Sequence, residues 1–259
     1  MFNKKTTVLD SGMLSGFTDY HCHLLPGVDD GVKELRETLQ LLSLWEEHGV
    51  KEIWLTPHIM EDIPNTTAAL RQRFDDLSAA YKGPIVLHLA AEHMLDNLFL
   101  KRIEKDDVLP LGPSGSRQLL VETSYFNPPM DMEHIIDKMK ERAYTPILAH
   151  PERYQYMDIG DYRHWKERGM LFQLNVPSLV GAYGPDVQKK AEMLLKRGMY
   201  NLCGTDTHSI RFADYFLHSK INKKISRNLD DYLDVSIQIS TFVPEKRFLN
   251  DSKKEPLSI

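Results

Sequence analysis

Phe17-Thr18-Asp19-Tyr20-His21-Cys22-His23-Leu24-Leu25-Pro26-Gly27-Val28-Asp29-Asp30-Gly31 is the stretch around which the chain is organised. Its first seven residues, 17–23, read as a short strand. Side chains two apart in a strand share a face, so His21 and His23 point together and Cys22 points away. Two imidazoles at one strand end can hold a metal ion. Asp29-Asp30-Gly31 then places carboxylates just before a helix, where the ordinary role of such a residue is an N-cap.

The rest of the chain repeats this unit. A helix over 32–48 carries Leu35, Leu39 and Leu42 at helical spacing and stops at Gly49. A strand over 50–56 ends in Thr56-Pro57-His58. An amphipathic helix over 66–81 precedes a strand over 84–91, which Glu92 follows, and 101–109 reads as helical. A strand over 118–121 runs into Glu122. A helix over 130–142 buries Ile135, Ile136 and Met139, and a strand over 146–149 runs into His150-Pro151-Glu152-Arg153-Tyr154. A helix over 161–168, a strand over 170–176 and a helix over 185–197 come next, with Pro185 near its first position and Gly198 past its end. A strand over 199–204 ends in Thr205-Asp206-Thr207-His208. Helical segments follow at about 210–222 and 228–240. Seven strands alternating with helices argue for a parallel sheet, and their near-regular spacing argues for a distorted barrel in a single domain. Residues 1–16 read as a polar lead-in, 17–251 as the barrel and 252–259 as a charged tail.

The 259 residues, 42% of them hydrophobic, suffice for one α/β barrel or two small domains. A net charge of −5 offers no basic field for nucleic acid. No apolar run has transmembrane length, and 1–10 is too polar for a secretory signal, so no membrane insertion is expected and a cytoplasmic location is the default. Cys22 and Cys203 make no disulfide framework and read as small buried hydrophobes. The positions six residues after them hold Val28 and Ser209, so the phosphate loop of a cysteine-dependent phosphatase is absent. There is no Gly-x-x-x-x-Gly-Lys loop either.

The polar residues at the strand ends carry the functional reading. His21, His23, His58, Glu92, Glu122, His150, Asp206 and His208 all fall there, and Asp30 lies in the first loop. In a parallel barrel those ends converge on one rim, which holds the active site. A lone strand-end histidine is more often structural, but nine candidate ligands exceed what one ion needs and suit two or three divalent ions sharing carboxylates. The surplus positive charge fits an anionic substrate such as a phosphate monoester, hydrolysed by in-line attack of a metal-bound hydroxide. Ligands of oxygen and nitrogen without thiolate favour Mn²⁺, with Fe and Zn as alternatives. His48, His88, His93, His134, His164 and His218 are read as structural, His88 being the first exception to consider because it shares strand parity with Glu92.

His21-x-His23, Asp29-Asp30-Gly31, Thr56-Pro57-His58, Ala91-Glu92, Val121-Glu122, Ala149-His150-Pro151-Glu152-Arg153-Tyr154 and Asp206-x-His208 resemble the polymerase-and-histidinol-phosphatase (PHP) superfamily. Within it the chain looks like the bacterial capsule and exopolysaccharide protein-tyrosine phosphatases, over roughly 17–251. Val243-Pro244-Glu245-Lys246 looks like the family's closing segment. The resemblance implies a distorted (β/α)7 barrel with a trinuclear, often manganese-loaded, centre. It implies one ion on His21, His23, Glu92 and Asp206, a second on Glu92, Glu122 and His150, and a third on Asp30, His58 and His208. Arg153 matches a phosphate-binding arginine and joins Asp206 and His208 as the residues assigned to catalysis. Arg211 stands where a second phosphate-binding arginine is expected, at a shorter spacing. The implied substrate and partner is the phosphotyrosine tail of a bacterial tyrosine kinase. Tyr125, Phe126 and Tyr183 follow strands on the same rim and are candidate contacts for the substrate ring. The alternatives are a histidinol-phosphate or other small-molecule phosphatase, a nucleic-acid-processing domain, and a non-catalytic metal-binding module.

Overall fold

The computed structural model describes residues 4–233. Its strands in chain order are β1 (Lys5–Thr7), β2 (Thr18–Cys22), β3 (Glu52–Leu55), β4 (His58–Ile59), β5 (Val86–Leu89), β6 (Glu92–Met94), β7 (Gln118–Glu122), β8 (Thr145–Ala149), β9 (Leu171–Asn175), β10 (Leu202–Gly204) and β11 (Lys220–Asn222). β2, β3 and β5 form one parallel sheet, and β10, β9, β8, β7, β6 and β4 form another in that order. The two sheets share strands that break midway. The strand expected over 50–56 divides into β3 and β4 at Thr56-Pro57, and the one expected over 84–91 divides into β5 and β6 at Ala90-Ala91. Pro57 has no N–H to give to a ladder; its carbonyl accepts the Glu92 N–H at 3.1 Å. Glu92 therefore opens a strand rather than following one. At the far edge of the curl the backbone after β10 meets β2: the His23 N–H donates to the Thr207 carbonyl at 2.9 Å and the Asp206 N–H to the His21 carbonyl at 2.7 Å.

Both faces of this curled parallel sheet are buried, which is why its strands read as nearly continuous apolar runs. Alternate residues go to different cores. Leu119, Val121, Leu148, Phe172, Leu174 and Cys203 face the helices, while Leu120, Ile147, Ala149, Leu171 and Leu202 join Trp54 inside the curl. Gln173 and Asn175 on β9 and Glu122 on β7 share strand parity with the inner set. In β2 a register irregularity between Asp19 and Cys22 interrupts the alternation. Tyr20 packs on the inner core although Cys22 joins the outer one. Bulges of this kind re-aim side chains beside active sites.

Four sequence expectations change. The lead-in is structured: β1 pairs antiparallel with β11, Thr7 caps the short helix Val8–Ser11, and Val8 and Leu14 are buried. The helix expected over 210–222 ends at His218, and Lys220–Asn222 is β11. Its partner strand lies at the other end of the chain, so no local pattern announces it. The segment 101–109 is helical only over Phe99–Glu104. Within 228–240 the described part is a 3₁₀ turn, Leu229–Tyr232; the remainder of that segment, Val243 to Lys246 and the 252–259 tail lie outside the described residues.

Candidate metal centre

The strand ends bring all nine candidate ligands to one site. His21 Nε2 lies 3.3 Å from Glu92 Oε2 and 3.5 Å from Asp206 Oδ1. His23 Nε2 lies 3.4 Å from both oxygens and 3.1 Å from His21 Nε2. His150 Nε2 is 3.0 Å from Glu92 Oε1 and 4.0 Å from Glu122 Oε2. His58 Nε2 and His208 Nε2 are 3.4 and 3.5 Å from Asp30 Oδ1. His58 also turns its Nδ1 to Glu122 Oε1 at 3.0 Å and Glu92 Oε2 at 3.1 Å. His21, His23, Glu92 and His150 are almost wholly buried, whereas the side chain of Asp30 is 63% exposed and that of His208 31%. That side is the mouth of the site.

The donor set suits divalent cations. His58 Nδ1, Glu92 Oε2 and Glu122 Oε1 crowd together, buried, at 3.0 and 3.1 Å, and none makes an aligned hydrogen bond. Buried polar atoms without partners are rare and costly. A cation between them would satisfy all three. Burial disfavours charge on Glu92 and Asp206, yet His21 and the neighbouring imidazoles hold both carboxyls well below their ordinary range. Burial likewise disfavours charge on His21, but Glu92 and Asp206 raise it.

Outer partners orient the ligands. His23 Nδ1 meets Asp29 Oδ2 at 2.8 Å, while Asp29 also accepts the backbone N–H groups of Gly31 and His58. Of the two adjacent carboxylates, Asp29 thus braces a histidine and Asp30 faces the mouth. His21 Nδ1 meets Gln173 Oε1 at 2.9 Å, and His208 Nδ1 donates to its own strand-end carbonyl, that of Asp206, at 2.8 Å. Asp19, buried below His21, accepts from the Thr205 N–H and hydroxyl and the His21 N–H; burial lifts its carboxyl to about 6. His150 and Asp206 both adopt positive φ, 34° and 52°, the kind of local strain that concentrates at functional sites. Gly204 lets β10 pass close to β2: a Cβ there would lie 2.5 Å from His21 Cβ.

Arg153, on the 3₁₀ turn Pro151–Arg153, donates from Nη1 to Asp206 Oδ2 at 2.6 Å. Its guanidinium lies over the rings of both Tyr125 and Tyr183, 4.5 and 4.3 Å from their centroids. The two tyrosines therefore grip an arginine. Asn175 Nδ2 also donates to Asp206 Oδ2, at 3.0 Å. Glu152 faces away from Arg153, buried among the Ser178 and Tyr200 hydroxyls and the Asn175 N–H. Phe126 is 64% exposed, and Arg211 is exposed on the helix Ile210–His218; neither has a described contact with the cluster. His88 pairs with Glu52 and stacks on Trp54, apart from the site, and His93 is a buried hydrogen-bonded residue whose burial lowers its pKa to about 4. Gln173, Asn175 and Asp19 were missed in the sequence. The signal for the first two was there: two polar residues, two apart, inside the apolar run Leu171-Phe172-Gln173-Leu174-Asn175-Val176.

The family model for capsular polysaccharide synthesis, CpsB/CapC, matches residues 17–232. The chain belongs to the CpsB/CapC family. That agrees with the resemblance drawn from its motifs to the capsule-associated phosphatases of the PHP superfamily. It is 25% identical to the tyrosine-protein phosphatase YwqE of Bacillus subtilis, over 76% of this chain and 79% of that protein. It is 26% identical to the putative tyrosine-protein phosphatase CapC of Staphylococcus aureus, over 83% and 88%. It is also 26% identical to the tyrosine-protein phosphatase CpsB of Streptococcus pneumoniae, over 74% and 83%. Among solved structures, one from a study of YwqE and CpsB, described as unique metal-dependent tyrosine phosphatases, superposes with a TM-score of 0.71 at 20% identity, covering 84% of this chain and 89% of the other. The curled α/β fold is shared with it.

Proposed function

We propose that this chain is a metal-dependent phosphomonoesterase that hydrolyses phosphotyrosine, acting on the tail of a bacterial tyrosine kinase of capsule or exopolysaccharide synthesis. The observation that carries this reading is the buried trio of His58 Nδ1, Glu92 Oε2 and Glu122 Oε1, close together without an aligned hydrogen bond inside a rim of nine ligand-type side chains. Family membership, and relatives named as tyrosine phosphatases, supply the substrate class. The scaffold is proposed to be a closed, distorted (β/α)7 barrel. Support comes from the hydrogen bonds between β2 and the residues after β10.

Three divalent ions, Mn²⁺ favoured, are assigned to His21, His23, Glu92 and Asp206; to Glu92, Glu122 and His150; and to Asp30, His58 and His208. When bound, such ions lower the pKa of water and stabilise charge on phosphoryl oxygens. The protein's own groups do the rest. Arg153 commits Nη1 to Asp206 and is proposed to offer its remaining guanidinium edge to the phosphate, a planar bidentate contact that lysine cannot copy. Tyr125 and Tyr183 both pack against the guanidinium, and its edge is the part proposed to meet an oxyanion. Asp206 and His208 complete the assigned catalytic set. Cys22 and Cys203 are buried, and burial pushes both thiols well above their ordinary pKa, so neither supplies a thiolate nucleophile. Among the described residues no helix is long and apolar enough to cross a membrane, which is compatible with the cytoplasmic location we propose.

The test is hydrolysis by the chelator-stripped and Mn²⁺-reconstituted protein of a phosphotyrosine peptide, set beside a phosphoserine peptide and histidinol phosphate. Activity that needs metal and prefers phosphotyrosine is expected. Preference for histidinol phosphate, or full activity after stripping, would contradict the proposal.

A further inference from the structure

Gln173 is fully buried on β9, and its contacts reach two of the proposed ligand sets. Its Oε1 accepts the backbone N–H of His150 at 3.2 Å, and its Nε2 donates to the Leu174 carbonyl at 2.6 Å. A backbone N–H can only donate and a carbonyl can only accept, so these two contacts fix which end of the amide is oxygen. His21 Nδ1 lies 2.9 Å from that same oxygen. An amide oxygen has no proton to give, so the ring must carry its proton on Nδ1. Its Nε2 is then the nitrogen left to ligate a cation, where Glu92 Oε2 and Asp206 Oδ1 converge.

We propose that Gln173 is a positioning residue that sets the tautomer of His21 and holds the backbone of His150, keeping two ligand sets in register through one amide. The proposal rests on the metal-centre reading above. Two further features favour it. His150 sits at φ 34°, a strained conformation that needs its surroundings to hold it, and the Gln173 contact is on its N–H. The neighbouring His23 is braced by a carboxylate, Asp29, whereas the amide at His21 adds no negative charge to a cluster already holding Glu92, Glu122 and Asp206. Outer partners of metal-binding histidines commonly fix the tautomer in this way.

The test uses the full chain and two readouts. The first is the tautomer of His21 in the wild-type protein loaded with diamagnetic Zn²⁺, from imidazole ¹⁵N chemical shifts. The Nδ1–H form is expected, and an Nε2–H form overturns the proposal without any variant. The second is Mn²⁺ affinity, by competition with a fluorescent chelator, for wild type and Gln173→Met, which keeps the side-chain length and removes the acceptor. Affinity should fall about 10- to 100-fold, the usual cost of losing such a partner, with a second His21 tautomer becoming populated. Wild-type Mn²⁺ affinity in folded Gln173→Met overturns the proposal. A wild-type protein that binds Mn²⁺ tightly but leaves phosphotyrosine intact overturns the proposed function alone and leaves this inference standing.

Discussion

Two clusters of carboxylate and imidazole form in this fold, and they differ in how their valences are met. Near the start of β2 and β3, Glu52 meets His88 Nε2 at 3.1 Å with one oxygen and accepts the Thr18 hydroxyl at 3.2 Å with the other, while His88 stacks on Trp54. Both carboxylate oxygens there have protein partners. At the strand-end rim, five histidines meet four carboxylates, and four buried atoms, His58 Nδ1, Glu92 Oε2, Glu122 Oε1 and His150 Nδ1, are left without an aligned hydrogen bond. The first cluster is complete with protein groups alone. In the second, the unmet atoms are those a divalent cation would take. Counting unmet valences separates a structural His–Glu pair from a metal centre where residue type alone would not.

The largest expected effect follows from removing the carboxylate shared by two proposed ions. Glu92→Ala should lose most bound Mn²⁺ and at least about a thousand-fold in kcat/KM, more than the 10- to 100-fold cost of an outer partner. Glu52→Gln should keep its metal content and lose only about 1–3 kcal/mol of stability. Elemental analysis and thermal melts of both variants check this, and equal metal loss in the two would erase the distinction between the clusters. Next, Gly204→Ala places a methyl group 2.5 Å from His21 Cβ and 2.7 Å from its backbone nitrogen. A cost of about 1–3 kcal/mol from overpacking is expected, together with weaker Mn²⁺ binding, read by melting and metal titration.

How much of this was legible beforehand depended on whether the signal was local. The His21-x-His23 and Asp206-x-His208 pairs could be read because strand parity is a property of neighbouring residues. β11 could not, since its partner β1 is at the opposite end of the chain. The division of β3 from β4 was signalled only by Pro57, and that of β5 from β6 by nothing in the sequence. Tyr125 and Tyr183 were legible as rim aromatics, but their common partner Arg153 arrives from a third loop. Asp29 and Asp30 are adjacent carboxylates in one turn, and only the fold decides that the first braces His23.

Smaller effects sharpen the comparison on the substrate side. Arg153→Lys should raise KM for a phosphotyrosine peptide about ten-fold by losing the planar, two-point contact; steady-state kinetics decide it, and an unchanged KM would remove Arg153 from phosphate binding. The smallest change is expected at Phe126, whose ring is 64% exposed and has no described contact with the centre. For Phe126→Ala, a roughly two-fold rise in KM is expected on a peptide, with none on a small aliphatic phosphate, as an exposed aromatic adds little beyond its buried area. Equal kinetics on both substrates would assign the ring no part in recognition.

The most direct test of the central claim, that the rim cluster is completed by several cations, is a Mn²⁺ titration of the chelator-stripped protein, with bound metal and phosphotyrosine hydrolysis followed on the same samples. Activity should rise from near zero and saturate at about three equivalents per chain, as a shared-carboxylate centre requires. Full activity in stripped protein, or saturation of binding below two equivalents with activity already maximal, would contradict it.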